Sequence, residues 1–435
     1  MKMETNKLKE LIIEHKERFL SSVNLVKREI QEIIKPYLKQ KEIIVITGVR
    51  RSGKSSLMRL IGNDIITEYN VSPENILYLN FEDERFVEFT HNDFEPLYEA
   101  FIEVYQPRGR KFFFLDEIQN INRWERWVNR LYEFEDIKIF ITGSNATLLS
   151  PEIATALTGR NRQIINFPFS FKEFLTLRGY KFNERDLYLR EKKVMIKNLF
   201  KEYIEFGGFP EVLKNKDVTL LEQYFKDIVY RGIIARYNIR NVKEIRELIL
   251  FLSSNIGTIH SYRNLKELIK VKSLNTVKNY LEILGNVYLF FCISLFDFSI
   301  KRQIYNPSKI YSIDPALSKA VAFKFVQNLG HIYENFVFVE LFRRDKEIFY
   351  WKSKKGKEVD FLIKTGLKID KAIQVTTTLT ELKTRQREVD GLLSASQELG
   401  VKNLFILTED EEREEKIDKT KIKIIPLWKW LLSGK

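Results

Sequence analysis

The chain of 435 residues is 44% hydrophobic and 30% charged, a composition typical of a soluble globular protein of roughly three domains. No stretch approaches the roughly 20 apolar residues of a membrane helix. The first ten residues lack the apolar core of a secretory signal, and the single cysteine, Cys292, excludes an intramolecular disulfide. We therefore expect a cytoplasmic protein without a membrane partner. The formal charge of +13 predicts an acidic partner, nucleic acid first, unless it only reflects a lysine-rich proteome.

The N-terminal segment is predicted to be helical. Apolar residues recur every three or four positions from Leu8 to Val26, and Pro36 lies near the end of the pattern. This spacing predicts a helix over residues 1–38. His15 lies on the apolar face and is interpreted as a packing residue.

The next segment carries a phosphate-binding pattern. Residues 43–46 predict a buried strand, and residues 56–69 predict an amphipathic helix. Between them, residues 48–55 (GVRRSGKS) match GxxxxGK[ST], in which glycines let the backbone wrap a phosphate and the helix N-terminus supplies partial positive charge. Lys54 is expected to reach the outer phosphates of a nucleotide, and the Ser55 hydroxyl to bind Mg²⁺. The binding residues predicted in this loop are Gly48, Arg51, Ser52, Gly53, Lys54, Ser55 and Ser56.

A second nucleotide motif lies further along the chain. The apolar residues 112–115 lead into Asp116 and Glu117. A buried strand of this kind places carboxylates beside the phosphate loop. Asp116 is predicted to hold Mg²⁺, directly or through water, and Glu117 to orient or activate the attacking water.

Two later positions are candidates for contacts with the reacting phosphate. At the tip of the predicted strand 137–142, Asn145 or Ser144 could contact the attacking water or the γ-phosphate, unless either only caps a turn. Arg160 or Arg162 could complete the site of a neighbouring subunit, or either could be a solvated loop charge. The catalytic residues predicted from the sequence are Glu117, Asn145 and Arg160.

The motifs in this order resemble those of archaeal and bacterial AAA-type (P-loop) ATPases. They are GVRRSGKS, LDEIQN with Trp124, TGSNA, GR, FSFKEF, and GGFP at residues 207–210. More narrowly, they resemble the subgroup whose C-terminal half carries a domain of unknown function. The resemblance covers nearly the whole chain from residue 40 onward and implies a RecA-like parallel sheet, a helical lid and ATP as ligand.

The middle of the chain is predicted to form a lid and a possible DNA-binding module. Residues 171–240 have helical periodicity and would cover the nucleotide. Further on, three predicted helices are followed by two predicted strands, residues 287–296 and 304–313, which is the order of a winged helix-turn-helix. The third helix begins after the cap residue Ser273. Its exposed face, suited to base edges and phosphates unless the module only packs against protein, is predicted to carry Asn275, Thr276, Lys278 and Asn279.

The last segment is similar to the PD-(D/E)xK nucleases in the order of its polar residues. Glu334 on a helix, Asp360 on a strand and Gln374 on the next strand match that order, but Thr376 stands at the lysine position. In such sites the carboxylates hold a divalent ion and the lysine polarises the attacking water. We interpret these four residues as a vestigial nuclease site, in a domain that binds or recognises rather than cuts.

The predicted fold class is α/β, with a P-loop RecA-like parallel sheet and helical lid, a winged helix-turn-helix, and a C-terminal α/β restriction-endonuclease-like domain. The predicted regions are an N-terminal helical segment (1–40), the ATPase core (41–170), the lid (171–240), the winged helix (241–320) and the nuclease-like domain (321–435). The predicted function is Mg²⁺-dependent ATP hydrolysis that drives a DNA-associated machine. The alternatives are a slow ATP/ADP switch that gates a protein partner or self-association, and an ATP-regulated nuclease in which Lys371 or Lys383 replaces the missing lysine.

Overall fold

The computed structural model describes residues 3–21, 24–144, 157, 159–322, 328–417 and 420–433. Its contacts divide the chain into two compact units, Met1–Phe167 and Pro168–Lys435. In the part of the chain that the structure describes, every helix is too short or too polar to cross a membrane.

The first unit contains a five-stranded sheet in the order β2-β3-β4-β1-β5, and all its strand pairs are parallel. The strands are β1 Ile43–Thr47, β2 Ile76–Asn80, β3 Lys111–Asp116, β4 Ile137–Thr142 and β5 Asn161–Ile165. The helices are Thr5–Leu20, Ile30–Ile34, Lys54–Tyr69, Phe94–Tyr105 and Trp124–Phe134.

Helices cover both faces of this sheet, which explains why its central strands are apolar along their whole length. Successive residues of β3 alternate between two hydrophobic clusters: Phe113 packs on one face, and Phe112 and Phe114 pack on the other. The carboxyl ends of all five strands share one edge of the sheet. The resemblance to AAA-type ATPases implied a parallel sheet, and this sheet places the tips of β1, β3 and β4 together.

The prediction of one helix over residues 1–38 is wrong. The first helix ends at Leu20, a second begins at Ile30, and residues 24–28 between them are not helical. The buried Arg28 explains the break. Its backbone N–H donates to the Gln31 side chain (2.7 Å) and its guanidinium donates to the carbonyl of Phe167 (2.7 Å). These contacts outweigh the helical periodicity.

The second unit contains two sheets. A three-stranded antiparallel sheet has the order β6-β8-β7, and a six-stranded mixed sheet has the order β13-β14-β12-β11-β10-β9. The strands are β6 Thr258–His260, β7 Phe290–Ile293, β8 Ser308–Ser312, β9 Glu347–Lys352, β10 Glu358–Thr365, β11 Lys368–Val375, β12 Asn403–Thr408, β13 Arg413–Ile417 and β14 Thr420–Pro426.

The helices of the second unit precede, separate and cover these sheets. They are Phe171–Leu177, Arg190–Phe206, Pro210–Asn215, Thr219–Asp227 with its π-helical continuation Ile228–Ala235, Val242–Ser254, Tyr262–Leu268, Leu274–Asn286, Ile300–Tyr305, Pro315–Val321, Leu329–Arg343, Leu382–Leu399 and Leu427–Leu432. The helix Leu382–Leu399 forms the crossover between the parallel strands β11 and β12.

The predicted strand over residues 304–313 is corrected in part. Residues Ile300–Tyr305 form a helix, and the strand begins only at Ser308. The side chain of Gln303 in this helix donates to the carbonyl of Asp297 (2.6 Å). This contact ties the helix to the turn that precedes it.

Candidate functional site

The loop after β1 has a backbone that only glycine permits at its first position. Gly48 has a φ of 143°, and a Cβ atom placed there would lie 2.3 Å from the carbonyl oxygen of Asn166. Gly53 has a φ of 89° and immediately precedes the helix Lys54–Tyr69. The two glycines therefore let the chain turn sharply between β1 and the helix, so that backbone N–H groups and a helix N-terminus face the same space.

Two residues that were not predicted from the sequence, Asn166 and Arg28, fix the backbone of this loop by hydrogen bonds. The buried Ser52 accepts hydrogen bonds at its carbonyl from the Asn166 side chain (3.0 Å) and from Arg28 (3.3 Å). The Asn166 amide also lies 3.2 Å from the Ser52 hydroxyl. Asn166 directly follows β5, so its place at the strand tip was a usable signal. Arg28 had none, because it reaches the loop from a distant turn.

Lys54 begins the helix and bends back over the loop. Its ammonium lies 3.3 Å from the carbonyl oxygen of Gly48, 3.5 Å from that of Val49 and 3.4 Å from a carboxylate oxygen of Glu117. Lys54 is only 6% exposed. All three contacts are long, so the ammonium is held in place but keeps its capacity to donate to a stronger acceptor.

Asp116 ends β3 and is completely buried. It accepts hydrogen bonds from Tyr78 (2.9 Å) and Thr142, and it interacts with the Ser55 hydroxyl. Burial raises the pKa of Asp116 above its usual value, and the nearby charge of Glu117 acts in the same direction. Its donors are all neutral hydroxyl groups, so this carboxylate is a strong acceptor for a cation.

Glu117 follows with a left-handed backbone (φ 52°) that turns its side chain toward the loop. Its N–H donates to the Thr142 hydroxyl (3.0 Å), and its carboxylate accepts from Gln119 and from the N–H of Ser144 (3.1 Å). Burial would raise the pKa of Glu117, but Lys54 and these hydrogen bonds outweigh it, so its pKa lies below the usual value. Glu117 is therefore ionised at neutral pH.

The remaining loop residues predicted from the sequence differ in their exposure and position. Arg51 is exposed, with a φ of 70°, Ser55 is exposed beside Asp116, and Ser56 is half-buried as the third residue of the helix. The structure therefore brings Lys54, Ser55, Asp116 and Glu117 together. Asn145, predicted at the tip of β4, lies outside the described residues, whereas its alternative Ser144 contacts Glu117.

The donors at this edge suit Mg²⁺. The ion prefers hard oxygen ligands and keeps several waters. Ser55 and Asp116 supply a hydroxyl and a carboxylate within hydrogen-bond reach of each other. They would hold the ion, with the remaining positions left to water and phosphate oxygens. Among the described residues, no group of three or more His, Cys, Asp or Glu side chains forms an all-protein metal site.

Arg160 and Arg162 lie at the opposite edge of the same sheet. The carbonyl of Arg160 accepts from the N–H of Ile43 at the amino end of β1. Arg160 also pairs with Glu133 (2.6 Å), and Arg162 lies over the ring of Tyr37 (4.1 Å). A five-residue strand, roughly 16 Å long, separates this edge from the glycine loop. Neither arginine can serve the site of its own chain.

The helix Leu274–Asn286 presents most of its predicted polar face to solvent. Ser273 caps it, as predicted, by accepting from the N–H of Asn275 (3.1 Å). Asn275, Lys278 and Asn279 are exposed, and Thr276 is half-buried.

The polar residues predicted as a vestigial nuclease site divide into two sets. Glu334 and Asp360 meet at the ammonium of Lys309, a residue of β8 that the sequence reasoning did not consider. Gln374 accepts from the N–H of Asp360 (2.8 Å). Thr376 instead donates to the carbonyl of Thr378 (3.2 Å), beyond the end of β11. The lysine of this centre therefore comes from another sheet, not from the position of Thr376.

Comparison with known proteins gives matches along most of the chain. Residues 40–175 match a family described as AAA domain, and residues 197–327 and 329–430 match two domains of unknown function, DUF8612 and DUF4143. Uncharacterized protein MJ1544 of Methanocaldococcus jannaschii is 36% identical over 409 residues, which cover 90% of this chain and 88% of that protein. An uncharacterized protein of Haemophilus influenzae is 32% identical over 401 residues, which cover 90% of this chain and 94% of that protein.

Similarity to solved structures is more distant. The Aeropyrum pernix ORC1 protein, solved in complex with DNA, matches 70% of this chain and 95% of its own chain at 14% identity, with a TM-score of 0.31. The replication initiator DnaA, solved with AMPPCP and single-stranded DNA, matches 63% of this chain and 92% of its own chain at 18% identity, with a TM-score of 0.27. Scores this low carry no argument about ligands.

Proposed function

The chain belongs to the same family as MJ1544 of Methanocaldococcus jannaschii, and because its residues 40–175 match an AAA domain we propose that it binds and hydrolyses ATP with Mg²⁺. One observation carries the proposal: Lys54, Ser55, Asp116 and Glu117 converge at the carboxyl edge of a parallel sheet, beside a glycine loop. This edge is where open parallel sheets bind their ligands.

Each residue has a distinct part in the proposed reaction. The loop N–H groups bind phosphate oxygens, and Lys54 exchanges its long contacts for the outer phosphates. Ser55 and Asp116 hold Mg²⁺, which supplies positive charge to the phosphate oxygens when it is bound. Glu117 is ionised and accepts a hydrogen bond from the attacking water, which it orients. Ser144 fixes the Glu117 carboxylate through its backbone N–H.

The test is phosphate release and nucleotide binding by wild type, Glu117→Gln and Lys54→Ala. Glu117→Gln should keep ATP affinity within a few-fold and lose roughly 10²–10³ in turnover, because the metal ligand stays and the water-orienting carboxylate goes. Lys54→Ala should lose tight binding. Glu103→Gln, which removes a surface carboxylate that pairs with Lys9 in the same unit, is the matched control and should leave both unchanged. Wild-type turnover by Glu117→Gln would refute the role of Glu117.

Arg160 is proposed to act on the site of a neighbouring subunit. It lies at the wrong edge of the sheet for its own site, and Glu133 holds it on the surface, from which a partner's phosphate could draw it. Arg160→Ala should lose turnover, and mixing it with Lys54→Ala chains should restore part of it. A monomer with full activity would contradict this assignment, and a selective loss in Arg162→Ala would transfer the role to Arg162.

DNA is proposed as the partner of the second unit. Asn275, Lys278 and Asn279 are exposed on the same helix. Residues 242–310 contain ten Lys and Arg residues but only five Asp and Glu residues, so this segment is basic. A winged-helix role for this segment fits its order of three helices and an antiparallel sheet. Lys278→Glu should weaken binding to all DNA sequences alike and reduce the salt dependence, as for a phosphate contact. Absence of DNA binding at low salt in every nucleotide state would favour the alternative of a slow ATP/ADP switch that gates a protein.

A further inference from the structure

A buried lysine in the second unit lies among three carboxylates. The ammonium of Lys309 is 2.6 Å from an oxygen of Glu334, 2.8 Å from one of Asp360 and 3.1 Å from one of Glu358. Lys309 is 3% exposed. The carboxylates come from the helix Leu329–Arg343 and from β10, whereas the lysine comes from β8. Three elements therefore meet at one nitrogen atom.

The ammonium has no donor left for another group. It carries three N–H bonds, and three carboxylate oxygens lie within reach of them. Charge-assisted bonds of this length are the strong class of protein hydrogen bonds, and here the ammonium is buried, although the Glu358 side chain is partly exposed. Lys309 is consequently bound far more tightly than a lysine whose N–H groups are available to a ligand.

Most of the carboxylate oxygens have further partners, and the second oxygen of Glu334 lies 3.6 Å from His331 Nδ1. The second oxygen of Asp360 accepts from the N–H of Val375 (2.9 Å), and the Glu334 oxygen that faces Lys309 also accepts from Tyr311 (2.5 Å). The second oxygen of Glu358 lies 3.3 Å from the ammonium of Lys352. Gln374 adds no free oxygen, because its carbonyl oxygen accepts from the N–H of Asp360.

The donor set therefore does not fit the divalent ion that a nuclease-like order of residues implies. A Mg²⁺ ion demands near-octahedral oxygen ligands at about 2.0–2.1 Å and retains several waters. At this centre an ammonium takes the position between the carboxylates and donates to an oxygen of each. We propose that Lys309 is the resident cation of the C-terminal carboxylate centre, in the place of a divalent metal, and that it joins β8 to β10 instead of supporting phosphodiester cleavage.

Mn²⁺ binding tests this proposal on the full nucleotide-free chain. Mn²⁺ titration followed by electron paramagnetic resonance should show the same number of bound ions in wild type, Asp360→Asn and Glu358→Gln, because the centre already holds its cation. A wild-type Mn²⁺ site that is lost in both variants would overturn the proposal. This comparison needs no change at Lys309 and so decides the question even where a Lys309 variant fails to fold.

Replacing the lysine should turn the centre into a metal site. Lys309→Met keeps an unbranched side chain, one atom shorter, and removes the cation shared by three carboxylates, of which Glu358 keeps a second cation, Lys352, so the unfolding midpoint should fall by about 10 °C or more. Millimolar Mn²⁺ should restore part of that loss, and Lys309→Arg, which keeps the charge, should need no metal. Lys352→Met removes the exposed cation beside the same Glu358 and is the matched control, with little change and no Mn²⁺ response. A Lys309→Met chain that melts like wild type and ignores Mn²⁺ would also overturn the proposal.

Discussion

Each unit of the molecule buries one lysine against carboxylates, but the two lysines are bound in opposite ways. Lys54 makes contacts of 3.3–3.5 Å with two carbonyl oxygens and one carboxylate oxygen, at the end of a glycine loop. Lys309 makes three contacts of 2.6–3.1 Å, all to carboxylates. A loosely bound ammonium can transfer its N–H groups to a phosphate, whereas a saturated one cannot do so without leaving carboxylates unpaired. The comparison teaches that buried charge alone does not identify a ligand site, and that the strength of the existing contacts does.

The direct way to break this comparison is to make the same substitution at both lysines. Lys54→Met should lower nucleotide affinity by at least about 100-fold, because the outer phosphates lose their charge-assisted donor. Its loss of stability should be small, since Glu117 keeps its bonds from Gln119 and Ser144. Lys309→Met should do the reverse and lose about 3–5 kcal/mol of stability at unchanged nucleotide affinity. Calorimetry measures the stability of both variants, and nucleotide titration measures their affinity. Equal losses of stability in the two variants would contradict the distinction between a loosely bound and a saturated lysine.

The first of these centres was predictable from the sequence, whereas for the second the sequence indicated Glu334 and Asp360 but not Lys309 or Glu358. GxxxxGK[ST] is a local pattern, and the carboxyl ends of parallel strands meet at one edge, so the sequence alone predicted that Lys54, Asp116 and Glu117 lie together with Ser55. The AAA-type resemblance is confirmed for residues 40–175. The winged-helix and nuclease-like assignments stay predictions.

The parts that were missed depend on long-range packing. Lys309 lies 51 residues before Asp360 in the chain, in a strand whose periodicity only predicts burial. Arg28 reaches Ser52 from a break in the N-terminal helical pattern, which apolar spacing had extended to residue 38. No local signal distinguishes such polar residues from surface charges, because their partners are defined only when separate elements pack.

A buried carboxylate that accepts hydrogen bonds from backbone N–H groups sharpens the comparison through pH. Asp314 accepts from the N–H groups of Gly208 (2.6 Å) and Ala316 (2.8 Å), and burial raises its pKa to about 6 from an ordinary 3.8. The folded state therefore binds the proton more tightly than the unfolded state. This contribution to stability is fully present below pH 3.8 and is lost as the pH rises through about 6.

Asp314→Asn should remove that dependence. The amide does not titrate, so the stability of the variant should gain on wild type by about 2 kcal/mol as the pH rises from 4 to 7. Its single oxygen can accept from only one of the two N–H groups, which donate to different oxygens of Asp314, so the variant should also lose a constant amount of stability at every pH. Calorimetry of both chains at pH 4, 5, 6 and 7 measures the difference. Parallel curves would show that Asp314 does not carry the raised pKa.

The smallest effect concerns the hydroxyl groups that surround Asp116. Tyr78 donates to one oxygen of this carboxylate (2.9 Å), and Thr142 donates to the other. Tyr78→Phe removes a single neutral donor and leaves the ring packed on Phe19, so stability should fall by about 1 kcal/mol. If Asp116 holds Mg²⁺, the oxygen that Tyr78 no longer contacts becomes a better ligand. The Mg²⁺ concentration for half-maximal turnover of Tyr78→Phe should therefore not rise above that of wild type. Lys309 variants are the control and should leave this concentration unchanged. Because a cation takes over from the lost hydroxyl, added Mg²⁺ and nucleotide should offset the stability loss in Tyr78→Phe. If the stability loss of Tyr78→Phe is the same with and without Mg²⁺ and nucleotide, the Asp116 carboxylate has only a structural role, like the carboxylates around Lys309.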